Sequence, residues 1–221
     1  MWQALSDELD DPDFIVIAVA LDADAEAARP WIEQAAPRYP VPVDREHRLA
    51  ELYNLVNVPQ AVWIDEAGRI VRPPETAGAY ESFRSMDLAT RSVPEAEAAK
   101  SKAARQLYLR AIRDWVKHGA ASRHVMTEDA ARQRLPRPTA ETALAHAHFR
   151  LARFLQGLGR EDEARRHFAE ASRLHPDSWA IWRQAAAKND TGLAAGPEFW
   201  ARVQALGDRR YYPPAEIDGM P

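Results

Sequence analysis

Among 221 residues there is no cysteine, so the most reactive side chain in protein chemistry is missing from this chain. Disulfides, thiolate metal sites, Cys nucleophiles and dithiol exchange are closed to the polypeptide as written. Seven histidines remain, at 47, 118, 124, 146, 148, 167 and 175, and no two recur at the three- or four-residue spacing that puts two ring nitrogens on one helix face. His146 and His148, two apart, fall on different sides of a helix. No metal or cofactor is expected. Asp10-Asp11 and Glu161-Asp162 border helices, where carboxylates cap N–H groups and complement the helix dipole, so they read as structural acids and not as a catalytic pair. The nine glycines are unclustered and cradle no phosphate, and there is no Gly-x-Ser-x-Gly elbow. Trp179, Trp182, Phe199, Trp200, Tyr211 and Tyr212 read as C-terminal core rather than a ligand cage. No residue is assigned a catalytic role.

The balance of charge narrows the partners. With 29 basic and 33 acidic residues the net charge is −4, which exerts no global pull on nucleic acid or anionic membranes. The longest apolar run, residues 14–21, is far short of the roughly 18 residues of a membrane span, and no charged-then-apolar leader precedes it. A globular chain with a protein or peptide as its partner is the expectation, its oligomeric state open.

Periodicity changes near residue 92. Residues 14–21, Phe-Ile-Val-Ile-Ala-Val-Ala-Leu, are branched, unalternating and bounded by Asp-Pro-Asp and Asp-Ala-Asp, as a strand covered on both faces is. Asp24 predicts a capped helix to about residue 39, bent near Pro30, and 41–43 is a short extended piece. Asp44 caps a helix carrying Leu49, Leu52 and Tyr53 on one face. Residues 60–64 and 69–71 flank a short Gly-containing turn and predict an antiparallel hairpin. Beyond residue 92 all is helical, with helices expected at 94–118, 140–157, 161–175, 178–188 and 197–206.

In this helical part, Leu151, Ala152, Gly159, Ala164, Phe168, Ala171 and Pro176 lie at the offsets of a tetratricopeptide repeat. The three alanines let two antiparallel helices approach closely. Leu151, Leu155 and Phe168 fill the space between them, and Pro176 stops the second helix. Trp182 follows His148 by one period of 34 residues, but Glu198 and Arg202 replace the small and large residues of the next helix, so the second repeat is degenerate. Such a repeat either offers a groove on its first helices for a partner peptide or forms a helical cap on its neighbour. Fewer than three repeats favours the cap.

From Phe14 to Val71 the chain resembles a ResA/TlpA-like thioredoxin-fold thiol-disulfide oxidoreductase, on the segment Val56-Asn-Val-Pro-Gln-Ala-Val-Trp-Ile-Asp-Glu-Ala-Gly-Arg-Ile70 with Tyr53 before it. The resemblance implies a substrate-side cis peptide between Val58 and Pro59. It also implies a dithiol at the start of a first helix, of which Met1 to Leu9 resembles the tail. The first strand and the dithiol are absent, so the expected fold is an incomplete α/β thioredoxin-like domain at 1–92, a helical linker at 93–136 and an all-α tetratricopeptide-like domain at 137–221. The flanking strands would then face each other with unpaired backbone groups, each costing on the order of 1 to 3 kcal/mol if dry. The expectation is an N-terminally truncated bacterial redoxin, resembling a selenocysteine-motif group and redox-inactive as it stands. Relatives of this type are often extracytoplasmic, which leaves the compartment open.

Overall fold

The computed structural model describes every residue of the chain except Pro136 and Thr191. In chain order it forms α1 (Trp2–Leu9), α2 (Ala25–Ala35), α3 (Arg48–Leu52), β1 (Gln60–Ile64), β2 (Ile70–Thr76), α4 (Glu95–His118), α5 (Glu128–Arg134), α6 (Ala140–Gly157), α7 (Glu161–Leu174), α8 (Trp179–Ala185) and α9 (Pro197–Gln204). Two compact units interleave along the sequence. The first gathers Met1–Asp10, Ile15–Val58 and the described residues of Pro136–Trp200; the second gathers Asp11–Phe14, Pro59–Leu135 and Ala201–Pro221. The boundaries expected at 92 and 136 run along the chain, whereas these units do not. Residue 136 itself lies outside the described residues.

The chain is thus helical with one small sheet, and the thioredoxin-like sheet expected for 1–92 is not displayed. In the first unit the expected strand at 14–21 is an irregular extended segment. Ala18 and Ala20 donate to the carbonyls of Pro40 and Pro42, and Asp44 donates back to Ala20, giving a one-sided parallel bridge of Ala20 with Val43. Among the described residues the opposite edge has no backbone partner, and the pairing stays at this single bridge. Ile15 and Ile17 are 63% and 58% exposed, instead of buried on both faces. Helix α2 is capped as expected, Asp24 accepting from the Glu26 N–H, and it contains Pro30 but ends at Ala35. Helix α3 starts later than expected because the Asp44 carboxylate caps it from a distance, accepting from the N–H groups of Arg48 and Leu49 at 2.8 and 2.7 Å.

In the second unit β1 and β2 form the expected antiparallel hairpin, with β2 running on to Thr76. Pro73 and Pro74 cannot donate to a ladder, and two register irregularities interrupt the pairing. The hairpin packs on α4 through Trp63, whose Nε1–H donates to the Tyr108 hydroxyl at 2.9 Å in a fully buried contact. Trp115 stacks on Trp63 at 4.9 Å, and the Arg72 guanidinium lies over the same indole while forking onto Glu75. Helix α5 falls within the helical linker expected at 93–136; Thr127 caps it by accepting from Ala130. Tyr211 packs edge-on against Phe83, and its N–H donates to buried Glu81.

Gly78 follows β2 at φ +68°, where a Cβ would lie 2.8 Å from that of Tyr108. Replacement by alanine meets both a left-handed backbone and an immovable neighbour. Gly78→Ala is expected to lower the urea midpoint by the equivalent of about 1 to 3 kcal/mol, whereas Gly68→Ala, at similar φ but in open space, loses only its backbone preference.

Candidate functional site

Helices α6 and α7 form the best-built element of the first unit. Thr139 caps α6 by accepting from the Thr142 N–H at 3.1 Å. After Leu158, Gly159 turns at φ +73°, donating to Gln156 while Arg160 donates to Leu155; this closes a Schellman-type end and reverses the chain into α7. Ala145, Ala152, Ala164 and Ala171 are essentially inaccessible and let the helices approach closely, around Phe149, Leu155 and Phe168. The two phenylalanine rings meet edge to face at 5.7 Å. Ile181 of α8 completes this core, while half-buried Trp182 packs on Trp179 instead. Pro176 follows α7 at the expected break. Of the expected packing residues, Ala152, Ala164, Phe168 and Ala171 come together, Gly159 makes the turn, and Leu151 points outward at 41% exposure.

The side of α6 and α8 that would serve as a groove is not free. The segment 47–57 lies along it, within the same unit. His47 packs edge-on against Phe149 at 5.1 Å, Glu51 accepts from Arg150 at 2.5 Å, and Asn54 meets His175 at 3.3 Å. Further on, Ala180 donates to the Val56 carbonyl at 3.0 Å, and Arg183 to the Asn57 side chain at 2.9 Å. Arg153 donates to Ala23. Burial acts to raise the Glu51 carboxyl, but the guanidinium groups of Arg150 and Arg48 outweigh it and hold it below its usual range. His47 is buried with Nε2 unbonded, and burial pushes it down to about 4, despite the opposing pull of Asp44.

Histidine pairs form across helices, which a search for spacing within one helix could not find. His148 and His167 hydrogen-bond through Nδ1 at 2.8 Å between α6 and α7, and the His146 and His175 rings lie 6.0 Å apart. Among the described residues no group of three His, Cys, Asp or Glu could hold a metal. A cleft of about 210 Å³ in the second unit includes Asp65, Arg69, Trp115 and Glu128. Its best-placed acid, Asp65, is taken up by Arg69 and by the turn's own N–H groups. Val58 is exposed and its N–H bonds the Asn57 side chain, while the Pro59 carbonyl accepts from Ala77 as β1 begins. No nucleophile or acid–base pair stands near them in these contacts.

The remaining side of α6 and its C-cap carry Leu144, Leu151, Phe154 and Leu158, exposed by 49%, 41%, 63% and 57%. A hairpin of small residues closed by a left-handed glycine, followed by a further capped helix, is a repeat geometry. Residues 145–187 contain a tetratricopeptide repeat, matching the family model of that description. No curated protein and no solved structure matches the chain. The repeat therefore stands with its inner side covered by its own chain and an apolar stripe on its outer side. Among the described residues no helix is long and apolar enough to cross a membrane.

Folded His47 is neutral, so the unfolded chain takes up the proton first as pH falls from 6.5. The stability contributed by keeping it neutral is present above pH 6.5 and lost progressively toward pH 4, by up to about 3 kcal/mol. Urea unfolding compared at about pH 7 and about pH 4.5 should show a steeper loss for the natural chain than for His47→Gln.

Proposed function

We propose that this chain is a protein-interaction scaffold working through its tetratricopeptide hairpin. The observation that carries the reading is the exposed stripe on α6, set on a hairpin whose own core is fully packed. Four large apolar side chains at about half exposure leave on the order of 300 to 400 Å² of contiguous apolar surface, the size at which a patch usually marks a binding site. A second feature fits the same reading. The net charge of −4 exerts no pull on nucleic acid, and the apolar side chains of the stripe suit a folded partner's apolar helix.

Site-specific photocrosslinking tests it. A photoreactive phenylalanine analogue at Phe154, in the cell, should give discrete protein adducts that Leu151→Glu abolishes. The same group at exposed Ala89 should give none. Equal labelling at both positions, or none at either, would overturn the proposal.

A second reading is favoured by the one-sided parallel pairing of 18–20 with 40–43 and by a hairpin that starts directly after Pro59. On this reading the N-terminal half is a remnant of a ResA/TlpA-like thioredoxin fold, Val58 and Pro59 mark its substrate side through a cis bond, and the remnant serves as scaffold. Without a cysteine it carries out no thiol-disulfide exchange. An insulin-reduction assay should show no turnover above buffer; turnover would contradict it. The ¹³C shifts of the Pro59 ring report the isomer directly.

A further inference from the structure

Helix α6 divides its circumference into three sides. One faces α7 and is closed by alanines; a second, carrying Arg150 and Arg153, meets the segment 23–57; the third is the exposed stripe. The stripe has a register of its own. Leu144, Leu151 and Leu158 are seven residues apart, and exposed Ala147 and Phe154 sit three beyond the first two of them, so the five residues occupy alternating a and d positions of two heptads. The core of the hairpin uses none of them.

We infer that this stripe is a self-association surface, on which α6 pairs antiparallel with α6 of a second copy of the chain. The inference rests on the scaffold reading of the same helix and names its occupant. Three observations select a copy rather than a foreign helix. First, four of the five residues are self-complementary, Leu144 lying outside the paired set. In an antiparallel pair a positions meet d positions, which sets Leu151 against the copy's Phe154 and Leu158 against the copy's small Ala147, twice over by symmetry. Large meets small at the ends and large meets large at the centre, as a packed seam requires.

Second, the charges beside the stripe are already engaged. Arg150 is held by Glu51, and His148 is bonded to His167. Bringing two copies together therefore sets no free like charges against each other along the seam. Antiparallel pairing also opposes the two helix dipoles. Third, the area is suited to a weak symmetric dimer. Two stripes together bury on the order of 700 Å² of apolar surface, which with a polar rim reaches the low end of specific interfaces at about 1,200 Å². The expected affinity is micromolar, and the dimer forms and dissolves with concentration.

Sedimentation of the full-length chain from micromolar to submillimolar concentration tests this. The natural chain should move from monomer to dimer. Leu151→Glu and, independently, Leu158→Glu should weaken dimerisation at least about tenfold, as loss of a leucine-sized apolar contact requires, with unchanged circular dichroism because both side chains are exposed in the monomer. The absence of native cysteine allows a direct check of direction. An equimolar mixture of Leu151→Cys and Phe154→Cys proteins should oxidise to a mixed disulfide faster than either protein alone. A chain that stays monomeric throughout, a dimer indifferent to both glutamates, or a disulfide formed no faster in the mixture would overturn the inference. A monomer that still gives Phe154 adducts to other proteins in the cell would overturn self-pairing while leaving the scaffold reading intact.

Discussion

Ala145, Ala152, Ala164 and Ala171 set the distance between α6 and α7, and most of the first unit follows from that closeness. With no side chain beyond Cβ, each alanine brings one backbone near the other and leaves only Phe149, Leu155 and Phe168 to fill the seam. A methylene added at any of them would push into a core already occupied by the other helix and by Ile181 of α8. A seam that narrow uses only one side of α6. The rest of its surface has to be covered by something else or left to solvent.

Both outcomes occur, with different chemistry. Toward 23–57 the cover is polar: guanidinium to carboxylate, histidine to amide, backbone N–H to carbonyl. Each such bond contributes a net of about 1 kcal/mol. His47 is the exception, a nearly inaccessible ring that contributes by apolar contact with Phe149 while leaving Nε2 without a partner. On the outer side the residues are leucine and phenylalanine with no cover within the unit.

Much of this was legible in the sequence where the determinants are local. Thr139, Ser178 and Gly159 mark helix ends by side-chain caps and a positive φ, and α6 spans the expected 140–157. The spacing of alanines and Phe168 identified the hairpin because packing between sequential helices repeats with the helix period. What failed depended on distant parts of the chain. Leu151 occupies a position that periodicity assigns to the seam, yet the narrowness created by Ala152 and Ala145 leaves it outside. The apolar run at 14–21 has the composition of a strand covered on both faces, but among the described residues its backbone pairs on one edge alone, with 40–44, and Ile15 and Ile17 stay exposed. The histidine pairs join residues 19 and 29 apart along the chain, beyond any single-helix template.

The asymmetry between the two sides of α6 decides which of them is available to a partner. An incoming protein on the inner side must displace the Glu51, Asn54, Val56 and Asn57 contacts and rebuild equivalents, since a polar group left dry costs on the order of 1 to 3 kcal/mol. On the outer side it displaces only water from leucine and phenylalanine, and burial there is favourable at roughly 25 cal/mol per Å². The covered side thus holds the repeat in shape, with 47–57 acting as the missing neighbour of an array too short to stand alone. The uncovered side is the one on which new contacts lower the free energy, and its leucines are spaced for a helix.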